Sequence, residues 1–168
     1  MANLRPRYVT VAHFTPPSTV YVLERRQRVT ALRAKVFSFF ADAANLERMT
    51  PPQLGFTILT PQPIEMKKGA RIDYRIKLYG IPMKWKTVID EYEPDDRFID
   101  VQLKGPYAVW RHTHTFIDVE GGTELGDRVV YELPFGPLGR VVHAAFVRRQ
   151  LAQIFDYRER VMRELFGG

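Results

Sequence analysis

The C-terminal stretch of the chain most constrains what it can fold into. From Leu138 to Phe166, apolar residues recur at helical spacing: Val141, Val142, Ala145, Leu151, Ile154, Phe155, Val161, Met162 and Leu165. About 28 residues rising 1.5 Å each make a helix of roughly 40 Å with one apolar stripe. A stripe that long is stable only against an equally long apolar surface.

The preceding sequence supplies one. Thr19 to Thr30 reads as a first strand, with Val20, Val22 and Glu24 on one side. Leu32 to Asp42 switches to helical spacing, with Val36, Phe37, Phe39 and Phe40 apolar. A short helical turn, Ala43 to Met49, stops before Pro51 and Pro52, because a residue preceding proline disfavours helix. Strand signals then run over Phe56–Leu59, Ala70–Tyr79, Met83–Tyr92, Arg97–Leu103, Tyr107–Val119 and Thr123–Leu133. Ile72, Tyr74, Ile76 and Leu78 alternate with Arg71, Asp73, Arg75 and Lys77. Such alternation is that of antiparallel hairpins with one buried and one wet face. The expectation is an α+β protein: six to seven antiparallel strands, two short helices after the first, and one long final helix.

Length and composition narrow the function classes. A chain of 168 residues is read as one domain over residues 19–168, preceded by a tail, residues 1–18, that carries Pro6, Pro16 and Pro17. There is no cysteine, which excludes disulfides, thiolate catalysis and cysteine-based metal sites. The formal charge is +6, but the cations are dispersed and no Lys/Arg run interleaves with aromatics. A solvated basic surface is therefore expected rather than a nucleic-acid site. No stretch has the roughly 20 apolar residues of a membrane span, and the N-terminus lacks the apolar core of a signal peptide, so a cytoplasmic protein is expected. Phosphate-loop, Gly-x-Ser-x-Gly and His-Glu-x-x-His motifs are absent from the sequence.

The chemistry concentrates on one strand. With a two-residue period, Trp110, His112, His114 and Phe116 share a face, while Arg111, Thr113 and Thr115 share the other. The first face suits the wall of a binding cavity. A two-residue turn at Gly121–Gly122 would set Phe116 opposite Asp127, His114 opposite Val129 and His112 opposite Tyr131. Asp127, Val129 and Tyr131 would then join the histidine face. A carboxylate beside imidazole can fix its tautomer and raise its basicity, which makes His112, His114 and Asp127 candidates for proton abstraction. The same residues would serve equally to orient a ligand's polar head or to form a satisfied core network. They also resemble a two-His-one-carboxylate set, but nothing else in the chain supports a metal and none is expected.

The ordered elements resemble the helix-grip fold of the START/Bet v 1-like (SRPBCC) superfamily, in particular its bacterial polyketide cyclase/dehydrase and lipid-transport branch. The likeness is carried by Val36–Phe37–Ser38–Phe39–Phe40–Ala41–Asp42, by Asn45–Leu46 before Thr50–Pro51–Pro52, and by Trp110–Arg111–His112–Thr113–His114–Thr115–Phe116. It continues through Gly121–Gly122–Thr123, Asp127–Arg128–Val129–Val130–Tyr131 and Leu133–Pro134–Phe135–Gly136. The resemblance implies a curved sheet wrapped around the long helix, with a cavity between them for an apolar small molecule or lipid. Some members catalyse cyclisation, dehydration or hydrolysis there, and many only carry or sense a ligand. No universal catalytic triad transfers. Expected ligand contacts are Trp110, His112, His114, Phe116, Asp127, Val129, Tyr131, Tyr74, Trp85, Ile76 and Phe155. The rim is expected at Gly80–Pro82, Gly105–Pro106 and the short helices around Leu46 to Pro51. No cofactor is expected. Arg71, Arg75, Lys77, Lys84 and Lys86 would form the sheet's outer face, a surface that could also meet an anionic membrane. The alternatives to a carrier, sensor or sequestering protein are a cyclase/dehydratase-type enzyme and a regulatory membrane-associated module.

Overall fold

A computed structural model describes residues 20–78, 80–142 and 146–168. The expected tail, His13 and His143 lie outside the described residues.

Seven strands form one antiparallel sheet: β1 (Val20–Val29), β2 (Thr57–Ile58), β3 (Arg71–Leu78), β4 (Ile81–Glu93), β5 (Arg97–Lys104), β6 (Val109–Val119) and β7 (Gly122–Glu132). Their spatial order is β1-β7-β6-β5-β4-β3-β2. Between β1 and β2 come α1 (Arg33–Phe40) and two 3₁₀ turns, Ala43–Leu46 and Pro52–Leu54. The Asp42 carboxylate caps the first turn by accepting from the Ala44 amide. After β7 come α2 (Gly136–Val142) and α3 (Arg148–Phe166). This is the helix-grip α+β architecture.

Alternation holds along β3, where Ile72 and Ile76 are buried and Arg71, Arg75 and Lys77 are exposed. On β1, the Val20–Val22–Glu24 side faces out, and Tyr21 instead stacks on Tyr131. The β4–β5 ladder slips between Lys86 and Thr87 and again between Ile89 and Glu91. Such bulges bend and twist a sheet. Pro82 is tolerated in β4 because the β4–β5 pairing begins only at Lys86.

The β6–β7 hairpin corrects the expected register. Its turn is Glu120–Gly121, and Gly122 is the first residue of β7, paired with Val119. Phe116 therefore faces Leu125, His114 faces Asp127, His112 faces Val129 and Trp110 faces Tyr131. Gly121 takes the positive φ, 80°, that the turn demands. Gly122 is needed for space, since a Cβ there would sit 1.9 Å from the Val29 carbonyl oxygen. The shift is two residues, so every side chain keeps its expected face.

The long final helix also differs from expectation. Leu151, Phe155, Met162 and Phe166 are buried, whereas Leu138, Val141 and Val142 of α2 are exposed. The turn at Phe146–Val147 is of the wider π type. The C-terminal end of α3 is pinned to the end of β1, where the Thr30 hydroxyl donates to the Phe166 carbonyl at 2.9 Å.

Candidate functional site

Two apolar clusters fill the space between sheet and helix. One gathers Phe37, Phe40, Phe98, Phe116, Met162 and Phe166. The other gathers Trp85, Tyr107, Tyr131, Leu151 and Phe155. The imidazoles of His112 and His114, 4% and 6% exposed, join them. His114 stacks on Phe98 with centroids 4.3 Å apart, and His112 meets the Phe155 ring edge-on at 5.6 Å.

Three adjacent strands set four polar residues in a square. Asp100 of β5 pairs with His112 of β6, and His114 pairs with Asp127 of β7. The shortest contacts run along the diagonals. His112 Nε2 lies 2.7 Å from Asp127 Oδ1, and His114 Nε2 lies 3.1 Å from Asp100 Oδ2. His114 Nδ1 is also 3.1 Å from Asp127 Oδ1, but off the line a hydrogen bond requires. The α3 helix adds a fifth member: Arg158 Nη1 donates to Asp127 Oδ1 at 3.1 Å, and its guanidinium lies over the Phe155 ring.

Electrostatics sort these groups. Burial pushes His112 down, as does the charge on His114, and together they outweigh its carboxylate partners to leave it at about 4. Burial pulls His114 the same way, but its hydrogen bond to Asp100 and the nearby charges of Asp127 and Asp100 overcome it and raise its pKa. Burial would raise both aspartates. Asp100 is nevertheless lowered by its bond to His114 and the charge of His112, and Asp127 is held well below the usual carboxylate range by Arg158 and both histidines. At neutral pH the square thus holds two carboxylates beside Arg158 and a neutral His112, with His114 the more readily protonated of the two imidazoles.

A cavity of about 140 Å³ opens beside the square, between the sheet and α3. Of the residues expected to contact a ligand, Trp110, His112, His114, Tyr74, Trp85, Ile76 and Phe155 line it. Phe116, Asp127, Val129 and Tyr131 share the inward face but are not among its lining residues. Phe116 sits in the first apolar cluster, and Val129 and Tyr131 in the second. Asp127 bonds His112 and Arg158, which both line the cavity, without lining it itself. Burial above all, then Asp100, pushes the Tyr74 hydroxyl well above its ordinary range, so it stays protonated.

Asp100 and Arg158 line the cavity and were not among the expected residues. Each had a signal. Asp100 falls in phase with Phe98 on its strand, and Arg158 interrupts the apolar stripe of Leu151, Phe155 and Met162. Asp100, His112 and His114 bring one possible ligand atom each within 4.8 Å of one another. Their shortest contacts, however, are to each other and to Asp127, and Arg158 already supplies positive charge at this spot.

A family described as polyketide cyclase / dehydrase and lipid transport matches residues 29–156. No curated protein matches the chain. Among solved structures, a protein of Chromobacterium violaceum shares 13% identity and a TM-score of 0.68, covering 88% of this chain and 99% of its own. An aromatase/cyclase from Streptomyces sp. R1128 shares 16% identity and a TM-score of 0.62, with coverage of 88% and 96%. Ara h 8.0201 shares 16% identity and a TM-score of 0.58, with coverage of 86% and 98%. At these identities the likenesses concern the fold.

Proposed function

We propose, for a chain that belongs to the polyketide cyclase/dehydrase and lipid transport family of the SRPBCC superfamily, that it binds an apolar small molecule in the cavity between sheet and α3, as a carrier, sensor or sequestering protein. The carrying observation is the cavity itself, about 140 Å³ and walled by Trp85, Trp110, Tyr74, Ile76 and Phe155. A dry apolar cavity of about 150 Å³ takes a single benzene ring. The space therefore suits one aromatic ring or a short acyl segment, and a larger ligand requires the walls to move. Trp110 and Phe155 contact the ring, and the His112–His114 face, with the Tyr74 hydroxyl, meets its polar end.

A catalytic reading is favoured by one observation: at the cavity wall His114 Nε2 lies 3.1 Å from Asp100 and its Nδ1 3.1 Å from Asp127, carboxylates that raise its affinity for a proton. That arrangement fits a proton donor. His112 fits a general base poorly, because at about 4 it is too weakly basic.

Native mass spectrometry of the protein as expressed, followed by calorimetric titration with indole, tests the binding function. The expected result is a co-purified apolar molecule or saturable indole binding, weakened at least ten-fold by Trp110→Ala with the fold intact. A folded protein that carries no ligand and binds no apolar probe would refute it.

A further inference from the structure

We infer that one end of the molecule docks onto an anionic phospholipid surface and holds the cavity mouth against it. The strand registers define this end. β3 and β7 finish there, while β1, β4 and β6 begin there: Leu78 pairs with Ile81, and Glu132 pairs with both Val20 and Val109. α2 follows β7 directly, and α3 starts at the same end, since its other terminus is tied to Thr30.

Apolar side chains project into solvent at this end. Phe135 is 79% exposed, Leu138 64% and Val141 65%. Phe146 is exposed as well, with Ile81 and Leu103 at the neighbouring strand ends. A patch of this kind on α2 marks an interaction surface rather than ordinary exposure.

Charge selects the partner. Across residues 76–84, 102–109 and 131–150 the only acid is Glu132, against Lys77, Lys84, Lys104, Arg140, Arg148 and Arg149. Lys77, Lys84, Lys104, Arg148 and Arg149 are exposed, and none of these five enters an ion pair among the described residues. The opposite end carries acids around its turns, Glu93, Asp95 and Asp96 at the end of β4 and beyond it, and Asp118 and Glu120 at the end of β6 and beyond it. Some of its cations are spent in pairs, Arg97 with Glu91 and Glu93, and Arg33 with Asp118. Apolar side chains ringed by cations that enter no ion pair among the described residues match an anionic bilayer surface.

The cavity faces the same way. A surface groove lined by Gln53, Lys77, Gly80, Gln150 and Gln153 shares Leu54, Gln150 and Ile154 with the cavity wall. Docking through α2 and the first turn of α3 therefore brings this mouth to the lipid.

Co-sedimentation of the full chain with vesicles tests this, using phosphatidylcholine alone and phosphatidylcholine mixed with phosphatidylglycerol. The expected result is salt-sensitive binding to the mixed vesicles only. Leu138→Asp weakens it more than ten-fold. Arg148→Gln with Arg149→Gln weakens it about 25-fold, at roughly five-fold per cation. Leu32→Asp, at the other end, leaves it unchanged. All variants retain the wild-type circular dichroism. Failure to bind mixed vesicles, or binding indifferent to Leu138→Asp, overturns the proposal. So does a dimer in sedimentation velocity that Leu138→Asp dissociates, because a second copy would then cover the face. Indole binding is measured without vesicles, so the cavity's function stands or falls separately.

Discussion

Two imidazoles on one face of β6, packed with centroids 3.8 Å apart, titrate differently because their neighbours differ. His112 is lowered to about 4 from an ordinary value of 6.5. The unfolded chain therefore binds the extra proton between those values, and folding stability falls as pH drops through that window. His114 is raised, so its contribution is full below 6.5 and is lost as pH rises through its folded value. Proton NMR of the ring signals checks this: His112 should hold its neutral shift down to about 4, and His114 its charged shift past 6.5. Coincident titration of the two rings near 6.5 would contradict the assignment. The histidines and Asp127 were readable from a two-residue period alone. For Asp100 and Arg158 the pattern signals only an inward facing; their membership of the square depends on which strand and which helix turn stand beside β6, and a single element's pattern carries no such information.

At the scale of elements, the β6–β7 hairpin shows what a turn motif does and does not specify. Two adjacent glycines mark the reversal, yet only Gly121 serves the turn, while Gly122 lets β7 pass close to Val29. Gly122→Ala should cost about 3 kcal/mol in urea unfolding, the upper range for forcing an atom into filled space. Gly121→Ala has open space around the new methyl group and carries only the strain of its positive φ, so the smaller loss belongs to it. The reverse ranking would show that the expected Gly121–Gly122 turn is the true one. Side-chain facing survived the register error because the shift was even. The helix prediction fared differently: the α3 stripe is buried while Leu138, Val141 and Val142 are exposed, and an apolar count does not tell which turns of a helical stretch meet the sheet.

At the scale of the molecule, sheet and helix leave a space rather than a filled core. Ile76 is buried at its wall. Ile76→Phe should fill part of the cavity, raise stability by about 1 kcal/mol and abolish indole binding. Equal loss of stability and binding would mean that Ile76 serves packing alone. Alternation and amphipathic spacing by themselves determined the strand order in sequence, the final helix and the inward face bearing Trp110, His112 and His114, because these are properties of side chains two or four residues apart. The sharing of protons among His112, His114, Asp100, Asp127 and Arg158, the size of the cavity and the exposed end at α2 were decided only by tertiary structure. Each depends on groups distant in sequence brought within a few ångströms, where burial and charge act through distance rather than through chain position.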